Sequence, residues 1–137
     1  MKRPHIGHLG VIVRDLQAAV ALMESLFDLK PKTLKDLSDA GLKVAEFEFA
    51  NLAVEFLEYV ESESNFARQV MGDRAGLNHI SLTVEDVGAA VDQFSAKGLK
   101  VMAGFPRQGA HGRVAFFKPD RALGFLLEIC QPDGEGE

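Results

Sequence analysis

The chain has one cysteine among its 137 residues. A single thiol cannot close an internal disulfide, so disulfide-stapled secreted scaffolds are excluded and a reducing compartment fits. No apolar run approaches the ~20 residues that a membrane helix requires. The apolar stretch after the basic start meets Arg14 and Asp15 too soon for a signal peptide. Positive charge is also in deficit: 15 Lys and Arg stand against 20 Asp and Glu, a net charge of -5. That balance argues against general nucleic-acid binding. Low-complexity segments are absent. The expectation is a cytoplasmic soluble protein with neither nucleic acid nor membrane as partner. At 47% hydrophobic and 26% charged, the composition is that of a globular protein. The length suits one domain that buries roughly two thirds of its unfolded surface.

What the chain does have is an internal repeat. Residues 8–16 read HLGVIVRDL and residues 79–87 read HISLTVEDV. Across this offset His8 falls on His79, Val13 on Val84 and Asp15 on Asp86. Leu16, Ala19, Val20 and Met23 fall on Val87, Ala90, Val91 and Phe94. Both sets have the i, i+3, i+4, i+7 spacing of an amphipathic helix. Asp15 and Asp86 precede these stripes, where a carboxylate can cap free backbone N–H groups. The segments ahead of the helices alternate, as strands do. Leu9, Val11 and Val13 share one face, as do Ile80, Leu82 and Val84. Each histidine lies on the opposite face, away from the expected helix.

Further strand-like runs follow each helix. In the first half they are 31–37, 42–50 and 52–60; in the second they are 99–103, 113–117 and 125–131. Each half therefore reads β-α-β-β-β, with modules at about 5–60 and 77–131. Residues 61–76 form the connection, with a short helix expected around Phe66–Met71. The tail, 132–137, is polar and expected to fray. The whole is read as a single domain, because a module of about 60 residues rarely stands alone.

In the last strand of each half a glutamate interrupts an apolar run: Glu55 in AVEFLE and Glu128 in LLEICQ. An unpaired buried carboxylate is costly, so each needs a partner. Two histidines and two glutamates, one of each per module, make an N₂O₂ set suited to a first-row divalent ion with water completing the shell. Taken singly, a strand histidine is more often a hydrogen-bonded structural residue, and a strand glutamate more often lies exposed at an edge. Their joint recurrence leaves the structural and metal readings level. His5 and His111 have no repeat partner and read as loop or surface residues. Cys130 reads as a small residue at the core edge.

These segments, with AGLNHISLTV and GFLLEICQ, resemble the vicinal oxygen chelate superfamily, which includes glyoxalase I, methylmalonyl-CoA epimerase, extradiol dioxygenases and bleomycin-binding proteins. The resemblance runs from about His5 to Gln131. It implies an α+β fold in which two tandem βαβββ modules form a curved mixed sheet around a central metal site. It also implies His8, Glu55, His79 and Glu128 as ligands of cobalt, manganese, nickel, zinc or iron. RAGLNHI, HGRVAFFKP and the nine-position span from Pro119 to Glu128 are most similar to methylmalonyl-CoA epimerase. Asn78 and Lys118 depart from histidines common in that family. The activity implied is a metal-assisted 1,1-proton transfer on an acyl-CoA, with Glu128 handling the proton and Glu48 or Glu46 as the second group. That second group is out of register, since Val44 stands third after Gly41. Residues 97–121 carry six cationic side chains against Asp120 alone. Among them Arg113 and Lys118 are candidates for coenzyme A phosphates, although a solvated face is the commoner reason for such a run. Alternatives are a glyoxalase I-like lyase acting on a glutathione adduct with the same ligands, or another metal-dependent small-molecule enzyme of the superfamily, and a non-catalytic binder of the bleomycin-resistance type. The superfamily also implies a homodimer.

Overall fold

The computed structural model describes residues 3–134. Its elements, in order, are β1 (His5–Ile12), α1 (Leu16–Phe27), β2 (Thr33–Leu37), β3 (Leu42–Glu48), β4 (Ala53–Tyr59), α2 (Phe66–Met71), β5 (Gly76–Thr83), α3 (Val87–Ala96), β6 (Arg107–Gln108), β7 (Gly112–Phe116) and β8 (Leu126–Pro132). They fall into two compact units. One is His8–Asn78; the other takes described residues 3–7 and 79–134.

In the first unit the strand order is β2-β3-β4-β1. The pairs β2–β3 and β3–β4 are antiparallel, and β1–β4 is parallel. In the second unit the order is β6-β7-β8-β5, again with two antiparallel pairs and a parallel one, β5–β8. The repeat in the sequence is thus a repeat in topology. A parallel pair needs a long crossover, and in each unit the helix and two strands between the parallel partners supply it.

Alternation then sorts each sheet into two faces. In the first unit Val13, Ala45, Phe47 and Phe56 pack with Leu16, Val20 and Met23 of α1. The other face carries Ile12, Val44 and Leu57, against which α2 lays Ala67 and Met71. In the second unit Leu82, Val84, Ala115, Phe117, Leu127 and Ile129 pack with Val87, Ala90, Val91 and Phe94 of α3. Phe47, Phe117 and Ile129 are fully buried; each contributes roughly 1.5–3 kcal/mol by leaving water. The histidines and glutamates lie on the faces turned away from α1 and α3, as the alternation predicts.

Both helices start alike. Asp15 Oδ1 accepts from the Ala18 N–H at 3.0 Å, and Asp86 Oδ1 from the Ala89 N–H at 3.0 Å. A second acceptor was not anticipated. Glu58 Oε1 takes the Leu16 N–H at 2.6 Å, and Gln131 Oε1 takes the Val87 N–H at 3.0 Å. Both residues come from the last strand of their module. Two free donors of each helix are therefore satisfied, one by a local cap and one by the sheet.

The main departure from expectation is the strand at 99–103. Val101 forms only an isolated bridge to Phe117. Gly104 then turns the chain at φ 88, Pro106 has no N–H to donate, and pairing resumes at Arg107–Gln108. The tail also differs. Pro132 ends β8, and the Asp133 N–H donates to the His111 carbonyl at 3.0 Å; residues 135–137 of the expected frayed segment lie outside the described residues. No helix among the described residues is long and apolar enough to cross a membrane.

Glu58→Ala is expected to lower stability by about 1–3 kcal/mol, because it strands a partly buried N–H and removes a carboxylate from a helix N-terminus. Asp15→Ala, at an exposed cap, should cost about 1 kcal/mol. Denaturant melts of the two variants check both the sizes and their order.

Candidate functional site

Parallel pairing builds a His–Glu pair in each unit. In the first, His8 partners Ala53, and Gly10 partners Glu55. His8 and Glu55 are therefore diagonal neighbours on one face, with Nδ1 and Oε2 3.4 Å apart. In the second, His79 partners Leu126, and Ser81 partners Glu128. His79 Nε2 and Glu128 Oε1 are 3.9 Å apart. The glutamates are not edge-exposed: Glu55 is 5% exposed, Glu128 6% and His79 2%.

The flanks of the two carboxylates differ. Glu55 lies between Gly10 on β1 and Glu46 on β3. Carboxylate oxygens of Glu46 and Glu55 come within 4.8 Å of each other, and Thr33 Oγ1 donates to Glu46 Oε1 at 3.3 Å. Glu128 lies between Ser81 on β5 and Phe116 on β7. The Phe116 ring stands edge-on to His79, with centroids 5.0 Å apart, and packs on Phe105 at 5.5 Å. Glu55 thus has a second acid beside it, whereas Glu128 has a hydroxyl and an aromatic wall.

The donor chemistry fits a divalent ion. The 3.9 Å between His79 and Glu128 exceeds a hydrogen bond. Ligand atoms each about 2.1 Å from one ion stand roughly 3–4 Å apart, depending on the angle between them. Both observed separations lie in that range, and both pairs combine imidazole with carboxylate, suited to cobalt, manganese, nickel, zinc or iron.

The other sequence candidates separate. Glu48 is exposed and bound to the Lys32 ammonium at 2.7 Å. The hydrogen bond and charge of Glu48, with the charge of Glu46 adding, raise the Lys32 pKa. Glu48 is engaged at the surface, while Glu46 is half-buried and beside Glu55. Arg113 partners Gln131 and shares its face with Ala115, on the α3 side of β7, away from His79 and Glu128. Lys118 follows β7, and its N–H donates to the Lys100 carbonyl at 2.8 Å, which puts two exposed lysines side by side. His5 is exposed in β1. His111 is half-buried rather than at the surface, and its carbonyl accepts the Asp133 N–H. Cys130 is buried on the face of Glu128.

Two features escaped the sequence reading. Tyr59, on the face of Glu55, donates its hydroxyl to the Gly72 carbonyl at 2.6 Å beneath the Arg68 guanidinium. Burial pushes its pKa up to about 12, so it stays a proton donor and anchors the end of α2. Ser81 is 0% exposed, and its hydroxyl has no hydrogen-bond partner among the described residues. The sequence signal for Ser81 was its place two residues after His79; what it faces needed the register.

Comparison with known proteins follows the same lines. A sequence family model described as the glyoxalase/bleomycin resistance protein/dioxygenase superfamily matches residues 7–117. The chain is 32% identical over 129 residues to the ethylmalonyl-CoA/methylmalonyl-CoA epimerase of Cereibacter sphaeroides, covering 92% of this chain and 96% of that protein. It is 25% identical over 131 residues to the uncharacterized protein YqjC of Bacillus subtilis, covering 95% and 94%. Among solved structures, the hypothetical protein BH1468 of Bacillus halodurans superposes with a TM-score of 0.85 at 26% identity, covering 99% of each chain.

Proposed function

Since the chain belongs to the glyoxalase/bleomycin resistance protein/dioxygenase superfamily, we propose that it is a metal-dependent epimerase that moves the α-proton of an acyl-CoA such as methylmalonyl-CoA. The observation that carries this reading is a His–Glu pair with a buried glutamate recurring at equivalent register in both units. The relative from Cereibacter sphaeroides supports the substrate class. The ligands in this reading are His8, Glu55, His79 and Glu128. A bound divalent ion supplies positive charge that favours negative charge on substrate oxygens.

The chain's own residues do the rest. Glu128 takes the α-proton on a carboxylate oxygen. Its burial beside Phe116 keeps competing water from that oxygen. Inversion also requires a second group to return a proton from the other side of the carbon. Glu46 fills that role better than Glu48, because Lys32 engages Glu48 at the surface. The neighbouring Lys118 and Lys100 are better placed than Arg113 for coenzyme A phosphates, since Arg113 lies on the α3 side.

We also assign a cytoplasmic single domain that forms a homodimer. Leu22, Leu26 and Phe27 are exposed on α1 where the repeat has Gln93 in α3 and Lys97 and Gly98 just beyond its end; an apolar face on one copy alone fits burial against a second chain. Sedimentation at twice the chain mass is expected, and a monomer would correct the assembly without touching the chemistry.

With Co²⁺ present, exchange of the methylmalonyl-CoA α-proton with solvent deuterium should be rapid and stop on chelation. No exchange by a metal-loaded protein overturns the epimerase reading and directs the search to glutathione hemithioacetals. Glu128→Gln should cut turnover by about 10²–10⁴-fold. Glu46→Gln should slow turnover as well, and Glu48→Gln should not; the reverse order would reassign the second group. Lys118→Glu should raise KM about five-fold at constant kcat, from the loss of an exposed ion pair of ~1 kcal/mol.

A further inference from the structure

The Ser81 hydroxyl is anomalous. A buried hydroxyl without a partner is unfavourable, and such a group in a native protein calls for an explanation. Ser81 is 0% exposed, and its Oγ lacks a hydrogen-bond partner among the described residues. An alanine of nearly the same shape would avoid the penalty.

Its position supplies the explanation. Ser81 lies on the face that carries His79, two residues earlier, and is the register partner of Glu128 on the neighbouring parallel strand. The equivalent place beside Glu55 in the first unit is Gly10, which has no side chain to donate. A hydroxyl is therefore kept beside one glutamate only, the one to which the proton transfer is assigned. A carboxylate has about four lone-pair sites, so binding an ion and facing a substrate leave it able to accept a further hydrogen bond.

We propose that Ser81 is a positioning residue for Glu128. Its hydroxyl donates to the Glu128 carboxylate when the divalent ion is bound, fixing which oxygen meets the ion and which stays available for the proton. The inference rests on the metal-dependent reading of this site. It goes beyond that reading by giving a role to a residue that is neither a ligand nor an acid. Partners that hydrogen-bond metal ligands commonly set affinity by about 10- to 100-fold.

The test is Ser81→Ala, measured first without metal. The metal-free variant should melt at or above the temperature of the wild type, since the substitution removes an unsatisfied group. Calorimetry should then show Co²⁺ affinity weakened by about 10- to 100-fold, with a shifted visible spectrum of the bound Co²⁺. In a Glu128→Gln background the same substitution should change affinity much less, because the two side chains act together. A lower melting temperature for the metal-free variant would mean that the hydroxyl has a structural partner, such as buried water, and would overturn the inference. Wild-type Co²⁺ affinity and spectrum in Ser81→Ala would overturn it too while leaving the metal site standing. A wild-type protein that binds no Co²⁺ would remove both.

Discussion

A carboxylate can be buried in an apolar strand only if something nearby compensates its charge or hydrogen-bonds its oxygens. In both units the nearest such group is a histidine, 3.4 Å from Glu55 and 3.9 Å from Glu128. Parallel pairing sets a histidine diagonally across from the glutamate on the face turned from the helix. Much else follows from this constraint. The helix must cover the opposite face, so Leu127 and Ile129, which bracket Glu128, belong to the α3 core. The crossover between the parallel strands must be long, which is why a helix and two further strands separate His8 from Glu55, and His79 from Glu128. Architecture and site chemistry therefore have a common cause.

The helix starts show how rigidly that frame is held. Asp15 and Asp86 cap from the residue just before each helix, as the sequence suggests. Glu58 and Gln131 cap from the sheet, three residues beyond Glu55 and Glu128. The odd-numbered Glu55 faces the histidine while the even-numbered Glu58 faces the helix, as a period of two requires. One strand thus presents a polar group to the site and another to the helix N-terminus. Slipping that strand by one residue would lose both together. The pairing register is fixed by polar groups as well as by apolar packing.

Much of this was legible because the sequence states it twice. Period-two alternation gave the strand faces, and the i, i+3, i+4, i+7 stripe gave α1 and α3. His8 with His79 and Glu55 with Glu128 gained weight only by recurring together. The unread parts depend on cross-strand register, which no single segment encodes. Glu46 and Glu48 lie on the same face of β3 and look equivalent in sequence. Their pairing, with Glu55 and with Ala53, and the reach of Lys32 separate them. Arg113 and Lys118 looked like one basic patch until alternation along β7 put Arg113 on the α3 side. The short β6 was missed because a β-prone run, 99–103, precedes a glycine turn and a proline that interrupt pairing.

The repeat is most informative where it breaks. Duplication alone would give two carboxylates in equivalent surroundings. Here Glu55 has a bare glycine on one side and a second acid on the other. Glu128 has a buried hydroxyl on one side and a phenylalanine on the other. An acid neighbour suits a carboxylate whose charge is taken up by a cation. A single donor and an apolar wall suit a carboxylate that must accept a proton and release it, since they orient it without adding charge. The two modules share a frame but differ beside their glutamates, at four positions: Gly10 and Glu46 in one, Ser81 and Phe116 in the other. Change at those positions can alter what the site does while the frame, its caps and its histidines stay as they are.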